Sequence, residues 1–557
     1  MSANQSDLSD AAYGYDFVVA TTQDGINDGL KQYLYNTTFP IIQMYWNQDA
    51  DGNPVAVTRA ELLAQTNDTD PLLVPSWTDG EPATPAIENV NGSNFYFAFQ
   101  ASIGIPSDLA PGNIPDIVTL QPASQSVIFN LICAELTVVT CNFGRQGLTS
   151  FMNASQPAGS PWLFTSVVPL QQIFDATNLP SAVRSQLNNL GAEAFSVQQL
   201  FFDLDNASLD STPTLSGVEP GTPACALLQQ VFIGAYFTAM KTAGQPILNY
   251  SIVQTTSDYN PTSLALTSME MEVSPYTPAG PGSNGLNTLN YLCATNGDEL
   301  PPPVPFTWNW VEPAETSEFD GVVSINRTTF AAYFEKQMTG LVSMNCYAPS
   351  VQVALSEFLD SEITYRWSLN PGQTPTITTP AAGAEVLSYS YSASAGDRAG
   401  VGGDMGAMTL STTYSATVTF SGSTIVITQQ LVVFVSVRTL LTSESWNAID
   451  KTITDTYTLA VTETGTLTSS VSTASTDHSD PTPTTNAFVN AFTEINQLSS
   501  NIAAWLQSFV ATSFRTLPID VAQIFVFPGG NTFAFKDVVF SQNQDLVSHI
   551  SYAQIGQ

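Results

Sequence analysis

Two stretches of the sequence, VVATTQDGINDGLKQYL at residues 18–34 and VVSINRTTFAAYFEKQM at residues 322–338, align without a gap. Each pattern predicts a short β-strand, a polar turn and an amphipathic helix with one apolar stripe. The stripes coincide at three pairs of positions: Ile26 and Phe330, Leu30 and Phe334, Leu34 and Met338. A strand–turn–helix pattern is common enough to recur by coincidence. If the repeat is real, it predicts two similar lobes in tandem.

The apolar spacing predicts four helices. Threonines at 21–22 can cap the first, because a threonine side chain accepts a hydrogen bond from the first turn of a helix. The second begins after Pro223 and ends before Gly244, and the third covers residues 327–342. The last, at 486–514, would extend roughly 40 Å and would need a long apolar partner surface.

Turn-forming residues between alternating apolar runs predict a β-rich remainder. Three hairpin turns and one further strand are indicated: QDADGNP at 48–54, SGS at 421–423, PGG at 528–530, and the strand FTWNW at 306–310. The Ser/Thr/Pro-rich residues 464–485 and the glycine-rich residues 400–406 are predicted as loops.

The charge of the chain limits its partners. The 557 residues include 13 Lys or Arg against 48 Asp or Glu, so the net charge is −35. Such a surface repels phosphate backbones and anionic lipid headgroups, which argues against nucleic acid as a partner. A hydrophobic content of 43% is enough for a large folded core.

The sequence predicts a cytoplasmic protein without stable membrane insertion. The start, MSANQSDLSD, has no basic region followed by an apolar stretch, and no apolar run approaches 18 residues. Export by a non-classical route is left open. The five cysteines lack a CxxC pair and are expected to be buried thiols, with a Cys133–Cys141 disulfide as the alternative.

No motif predicts an enzyme, a cofactor or a metal site. Only two histidines, His478 and His549, could serve a Ser–His–Asp hydrolase, and no GxSxG elbow accompanies them. The run from Asn47 to Gly52 resembles half of a calcium loop, but Thr58 stands where the bidentate Glu would be required. We therefore predict no catalytic residues, no cofactor and no metal, and interpret that run as a hairpin turn.

Both ends of the chain resemble a known family. The opening YGYDFVVA at 13–20, followed by Ile26, Asn27 and Leu30, and the closing FPGGNTFAFKDVVFSQNQDLVSHISY at 527–552 are similar to the clostridial toxin-cluster accessory proteins, the OrfX group and its relatives. Those proteins usually have a Trp at the position of Tyr15. With the region from FTWNW to Met338, the similarity covers about a fifth of the chain.

This resemblance implies an α+β fold of the tubular lipid-binding (TULIP) superfamily. Its members wrap long amphipathic helices in strongly curved antiparallel sheets, and many hold lipid in the groove between them. The expected organisation is two tandem lobes, residues 1–290 and residues 291–557. Some family members bind phosphoinositides, but this chain has only five lysines to attract such headgroups, at positions 31, 241, 336, 451 and 536.

The leading hypothesis is therefore non-enzymatic binding or carriage of a lipid or other apolar small molecule. The expected groove residues are the aligned stripe positions Ile26, Leu30, Leu34, Phe330, Phe334 and Met338. The alternative is an interaction protein, either a toxin accessory factor or a self-assembling structural protein, with a filled core and no ligand. A homo-oligomer is compatible with both.

The excess of carboxylates predicts a pH-dependent solubility. As the pH falls from 7 toward the sequence pI near 4.1, repulsion between molecules weakens, so solubility should fall and self-association should rise. Light scattering of the purified protein across this range measures the effect. A scattering signal that stays constant from pH 7 to the pI would contradict the prediction.

Overall fold

The computed structural model describes most of the chain. The described residues are 2–122, 124–145, 147–174, 195–211, 221–244, 247–254, 264–280, 283–356, 362–401, 404–439, 443–465, 467–480, 525–527 and 531–553. The helix predicted at 486–514 and the turn predicted at 528–530 lie outside them.

Five α-helices occur among the described residues: α1 Gln23–Asn36, α2 Arg59–Gln65, α3 Pro85–Asn91, α4 Pro223–Ala243 and α5 Arg327–Met344. Each follows a residue whose side chain accepts a hydrogen bond from the first turn, as Thr22 does from the Gly25 N–H. The predicted first, second and third helices are confirmed as α1, α4 and α5. Gly244, with φ of 112°, ends α4 as expected.

β-Strands make up the larger part of the regular secondary structure. Strands β1–β12 are Phe17–Thr22, Ile42–Gln48, Pro54–Val57, Trp77–Thr78, Phe95–Ile103, Val118–Leu120, Ser126–Leu131, Cys133–Gly144, Gly147–Ser155, Phe164–Phe174, Phe195–Phe202 and Ser208–Ser211. Strands β13–β19 are Ile247–Gln254, Leu266–Ser274, Thr288–Thr295, Gly321–Ile325, Ala348–Ser356, Glu362–Asn370 and Thr376–Thr378. Strands β20–β28 are Glu385–Val401, Asp404–Ser421, Thr424–Thr439, Ser443–Val461, Leu467–Asp477, Phe525–Phe527, Asn531–Phe535, Val539–Phe540 and Leu546–Ala553.

The protein is a β-rich α+β fold with curved antiparallel sheets. The largest sheet has 14 strands in the order β14-β15-β1-β16-β28-β26-β25-β13-β11-β10-β7-β6, with β12 beside β10 and β27 beside β28. A six-stranded sheet has the order β3-β2-β5-β8-β9-β4, and β17 pairs with β18. The long-strand sheet, β19 to β24, is a meander whose longest strand has 19 residues and spans roughly 60 Å.

The strands that open the two aligned segments pair directly with each other. Val19 on β1 lies opposite Val323 on β16. In the alignment of the two segments, Val18 corresponds to Val322 and Ala20 corresponds to Ser324. Across the paired strands this correspondence is exchanged, since Val18 lies opposite Ser324 and Ala20 lies opposite Val322. The outer neighbours continue the pattern, since β15 borders β1 and β28 borders β16. The register of this central sheet therefore has an approximate two-fold relation centred on the pair Val19–Val323.

The starts of α1 and α5 obey the same relation. The Thr22 N–H donates to the Asp320 carbonyl, and the N–H of Asn326, its aligned position, donates to the Asp16 carbonyl, both at 2.9 Å. Thr22 and Asn326 are also the N-cap residues of α1 and α5. Each helix start is thus anchored to the backbone that precedes the opposite strand.

The central sheet is buried on both faces. Phe17 and Val19 join the main apolar cluster, the large continuous core that also receives α1, α4 and α5. Val18 and Ala20 face the aromatic cluster, which consists of Tyr13, Tyr15, Phe306, Trp308 and Trp310 with their apolar neighbours. This two-sided burial explains why β1 is buried along its whole length.

Several sequence predictions need correction. Residues 306–310 form no strand; their aromatic rings pack on Tyr13 and Tyr15, with the rings of Tyr13 and Phe306 centred 5.0 Å apart. Part of the loop predicted at 464–485 is strand β24, because Ser and Thr side chains suit a solvent-facing edge strand. Described residues at 400–406 end β20 and begin β21 rather than forming a loop.

The five cysteines are free, so the Cys133–Cys141 disulfide alternative is wrong. Both thiols are buried in or beside apolar clusters, and burial raises their pKa above the ordinary value. The hairpin turns at 48–54 and 421–423 are confirmed, since β2 pairs with β3 and β21 pairs with β22.

Helix α4 is, by length and composition alone, long and apolar enough to cross a membrane. Its burial is one-sided: Phe232 and Tyr236 are buried, while Gln230 and Gly234 are exposed. Core helices of ordinary globular proteins pass the same test of length and composition. The predicted lack of membrane insertion therefore stays a prediction.

The close approach of β1 and β16 predicts that replacing Gly321 by a larger residue destabilises the protein. A Cβ atom at this position would overlap the carbonyl oxygen of Ala20 on the paired strand. We expect Gly321→Ala to lower the free energy of unfolding by about 1–3 kcal/mol, because backbone cannot move aside as a flexible side chain can. Gly340→Ala in α5, where a Cβ meets nothing within 4 Å, should be neutral or stabilising. Denaturant titration compares them, and equal midpoints would contradict the prediction.

Candidate functional site

The six predicted groove residues lie in the main apolar cluster. Ile26, Leu30 and Leu34 come from α1, and Phe330, Phe334 and Met338 come from α5. Their exposed fractions lie between 0 and 6%. The structure thus brings both stripes to one continuous apolar interior. Their contact with a ligand stays a prediction.

Aromatic side chains surround the N-terminal part of the α5 stripe. The Phe330 ring centre lies 5.2 Å from that of Phe334 and 5.3 Å from that of Phe420 on β21. Phe420 in turn stacks on Phe540 at 4.5 Å. The Tyr389 hydroxyl donates to the Glu335 carbonyl, which ties α5 to the long-strand sheet. Protein side chains therefore occupy the space immediately around Phe330.

Two amide side chains fix α1 against the sheet. Asn27 is buried; its Oδ1 accepts from the N–H groups of Ile117 and Val118, and its Nδ2 donates to the Val118 carbonyl. The Gln23 Oε1 accepts from the Leu120 N–H at 2.8 Å. Neither residue belongs to the apolar stripe that predicted α1. Their spacing of four residues, beside the apolar stripe, was the signal that could have located them.

Helix α4 has an aromatic seam of its own. The Phe232 ring centre lies 4.4 Å from that of Phe164 and 5.8 Å from that of Phe99. The Tyr236 hydroxyl donates to the Ile132 carbonyl and accepts from the Ile132 N–H. These contacts hold α4 over the six-stranded sheet that contains β5.

A buried carboxylate joins the two ends of the chain. Asp545 is fully buried and accepts hydrogen bonds from the Leu8 N–H at 2.7 Å, the Ser6 hydroxyl at 2.8 Å and the Arg327 N–H at 2.9 Å. Burial raises the pKa of Asp545 to about 6, although these hydrogen bonds act in the opposite direction. Because Arg327 opens α5, this contact connects the N-terminal segment, a core helix and strand β28.

His549 has carboxylates on both sides of its ring. Its Nδ1 lies 2.8 Å from an Asp537 oxygen, its Nε2 lies 3.8 Å from a Glu315 oxygen, and its ring stacks on Phe319. Burial acts to raise the pKa of Asp537, but the hydrogen bonds and charge of His549 outweigh it and hold that pKa below its ordinary value. A serine hydrolase would require a hydroxyl where Glu315 stands.

Metal coordination finds no support within the described ranges, where no group of three or more His, Cys, Asp or Glu side chains could hold an ion. His478 is exposed at the end of β24. Asp49 accepts from the N–H groups of Asp51 and Asn53, which identifies the calcium-like run as a hairpin turn.

A cavity of about 660 Å³ opens on the long-strand sheet. It is lined by ten residues that include Thr376, Ser390, Thr413 and Gln430, and by none of the six predicted groove residues. This cavity was not predicted from the sequence, because nine of its ten lining residues come from four separate strands whose composition is that of an ordinary protein surface.

The comparisons with known proteins show limited likeness. No protein-family model and no curated protein matches the chain. The solved structure of P47 from Clostridium botulinum A2 is similar over 98% of this chain and 99% of that one, with a TM-score of 0.41 and 10% identity. A lipopolysaccharide binding protein is similar over 97% and 100%, with a TM-score of 0.32 and 11% identity. These scores are too low to assign a family or a function.

The buried Asp545 predicts an unusual dependence of stability on pH. Its folded-state pKa, about 6, is above the ordinary 3.8, so the folded state binds its proton more tightly. Its contribution to stability is therefore complete below pH 3.8 and is lost as the pH rises through 6, by about 3 kcal/mol in total. Asp545→Asn should remove this loss.

The measurement is denaturant unfolding of wild type and variants at pH 4.5 and at pH 6.5. The change in unfolding free energy between the two pH values should differ between wild type and Asp545→Asn. It should be the same in wild type and Asp10→Asn, a control at an exposed carboxylate in the same N-terminal segment. Identical pH dependence in all three proteins would refute the assignment.

Proposed function

We propose that this chain binds a lipid or another apolar small molecule, without catalysis, between its curved antiparallel sheets and amphipathic helices. One observation carries the proposal: the stripes of α1 and α5, which begin from two paired and aligned strands, face one apolar interior. Each ligand methylene that enters such an interior contributes about 0.8 kcal/mol, so affinity requires no charged contact. Binding without charged contacts suits a chain with only 13 Lys or Arg residues.

The proposal includes a tubular lipid-binding architecture with lobes at residues 1–290 and 291–557. The two-fold register of β1 and β16 supports two related halves. Strand β15 crosses the proposed boundary and pairs with β1, so the halves share one central sheet. We further propose a relationship to the clostridial toxin-cluster accessory proteins. The stretches that carry this resemblance are neighbours in space, since β1, β16 and β28 are adjacent and the FTWNW rings cover Tyr13 and Tyr15.

Native mass spectrometry of the protein, before and after organic extraction, tests the proposal. We expect lipid-like masses that extraction removes, and uptake of a fluorescent fatty acid by the extracted protein. Met338→Trp, which adds bulk inside the apolar interior, should reduce uptake severalfold. Ala332→Trp, at an exposed position of the same helix, should leave uptake unchanged.

Circular dichroism of both variants separates a loss of fold from a loss of binding. Absence of any lipid-like mass, together with no fatty-acid uptake by wild type, would eliminate the proposed function. Equal uptake by wild type and a folded Met338→Trp variant would remove the α5 stripe from the site.

A second candidate is an interaction or self-assembling protein with a filled core. The packing of Phe330 against Phe334 and Phe420, with each of the six stripe side chains at most 6% exposed, favours it. This candidate predicts no bound lipid and a mass that increases with concentration in analytical ultracentrifugation. A monomer that carries lipid would exclude it.

A further inference from the structure

The cavity on the long-strand sheet is a site of different character from the apolar interior. We use the name hydroxyl groove for the part of it lined by Thr376, Ser390, Ser392, Thr413, Ser415 and Gln430. These side chains lie on the solvent-facing side of the sheet, where they alternate with buried residues such as Tyr389 and Leu431. The whole cavity has a volume of about 660 Å³, which is within the range of small-molecule sites.

Strand register places the groove side chains in two adjacent rows. One row crosses four strands, because Thr376 lies opposite Ser390, Ser390 opposite Ser415, and Ser415 opposite Gln430. The second row is formed by Ser392, Thr413 and Val432, which occupy successive strands. Neighbouring strands are about 4.8 Å apart, and the rows are separated by roughly 7 Å. The hydroxyl groups therefore form a compact array on a rigid ladder.

The groove is neutral in a chain whose net charge is −35. None of the ten residues that line the whole cavity is Asp, Glu, Lys or Arg. A phosphate or carboxylate would find no cation there, and a fully apolar ligand would strip water from the hydroxyl groups without replacing it. The lining thus selects against ions and against hydrocarbon.

Hydroxyl groups both donate and accept hydrogen bonds, so the array matches a ligand that does the same. Gln430 adds an oriented amide: its Nε2 donates to Asp450 at 3.0 Å, which holds the side chain in place beside the groove. Val432, partly exposed in the second row, contributes apolar surface within the same lining. Neutral polar contacts next to a small apolar surface suit a sugar ring, which has hydroxyl edges and C–H faces.

The sheet beneath the groove is preorganised. Tyr389, Tyr414 and Leu431 are at most 2% exposed on the opposite face, and the Tyr414 hydroxyl donates to the Gln429 amide oxygen. Sites built on packed strands lose little freedom when they bind, because their side chains are already fixed by the fold.

We propose that the hydroxyl groove binds a neutral saccharide, either as a free oligosaccharide or as the headgroup of a neutral glycolipid. The site is separate from the proposed apolar interior, since none of the six hydroxyl-groove residues belongs to the main apolar cluster. It would serve equally a lipid carrier or a protein that attaches to a glycan-covered surface.

Saturation-transfer NMR with the full chain tests the proposal with defined probes. The free probes are the neutral hexasaccharides of glucose, mannose and N-acetylglucosamine, with an oligogalacturonate as the acidic comparison. Phosphatidylcholine vesicles with and without digalactosyl diacylglycerol test the glycolipid source by flotation. We expect at least one neutral probe to bind, and binding by either arm alone identifies the source.

A matched pair of double variants locates the site. Ser392→Ala with Thr413→Val removes two hydroxyl groups that lie opposite each other in the groove. Thr458→Val with Ser470→Ala removes an equivalent cross-strand pair on exposed positions outside it. The groove variant should weaken saccharide binding about fivefold or more, the expected effect of losing one or two hydrogen bonds, and the control should bind as wild type.

Three results would overturn the proposal: no binding of any neutral probe at millimolar concentration, stronger binding of the oligogalacturonate, or equal weakening in both double variants. The outcome of this test does not depend on the outcome of the lipid-binding test. Bound fatty acid without saccharide binding removes only the hydroxyl groove, and saccharide binding without lipid removes only the apolar interior.

Discussion

The antiparallel pairing of β1 with β16 is the constraint on which the rest of the structure depends. It places Val19 opposite Val323 and anchors the starts of α1 and α5 to each other's preceding backbone. Because alternate residues of β1 face the main apolar cluster and the aromatic cluster, a slip of one residue would exchange the two faces. Register, helix placement and both cores therefore depend on one another.

The two sides of the molecule offer contrasting chemistry. Around α1 and α5 the side chains are apolar and buried, so any ligand there must be apolar and must compete with protein packing. On the outer face of the long-strand sheet, neutral hydroxyl groups stand in rows on a fixed ladder. No Asp, Glu, Lys or Arg lines the cavity, and none of the six stripe residues is charged, so neither region offers a cation to a ligand.

Local signals predicted the local structure well. Thr22 caps the start of α1 and Gly244 ends α4, as predicted from their residue types. The repeated apolar stripe correctly located α1 and α5. Features that depend on distant partners could not be predicted. Nothing near Asp545 in the sequence indicates Leu8 or Arg327 as its partners, and FTWNW has the alternation of a strand although its rings cover a sheet face instead. The hydroxyl groove arises from register between four strands, which a single strand's composition does not contain.

The contact between Ser6 and Asp545 spans 539 positions of the chain. During synthesis on the ribosome, the residues around Ser6 therefore lack this contact until Asp545 has been made. Contacts of such long range are slow to form, because a long loop must close before any stabilisation is gained. A nascent chain truncated before β28 would leave one edge of β16 unpaired and the aromatic cluster incomplete, a state that exposes apolar surface to chaperones and to other nascent chains.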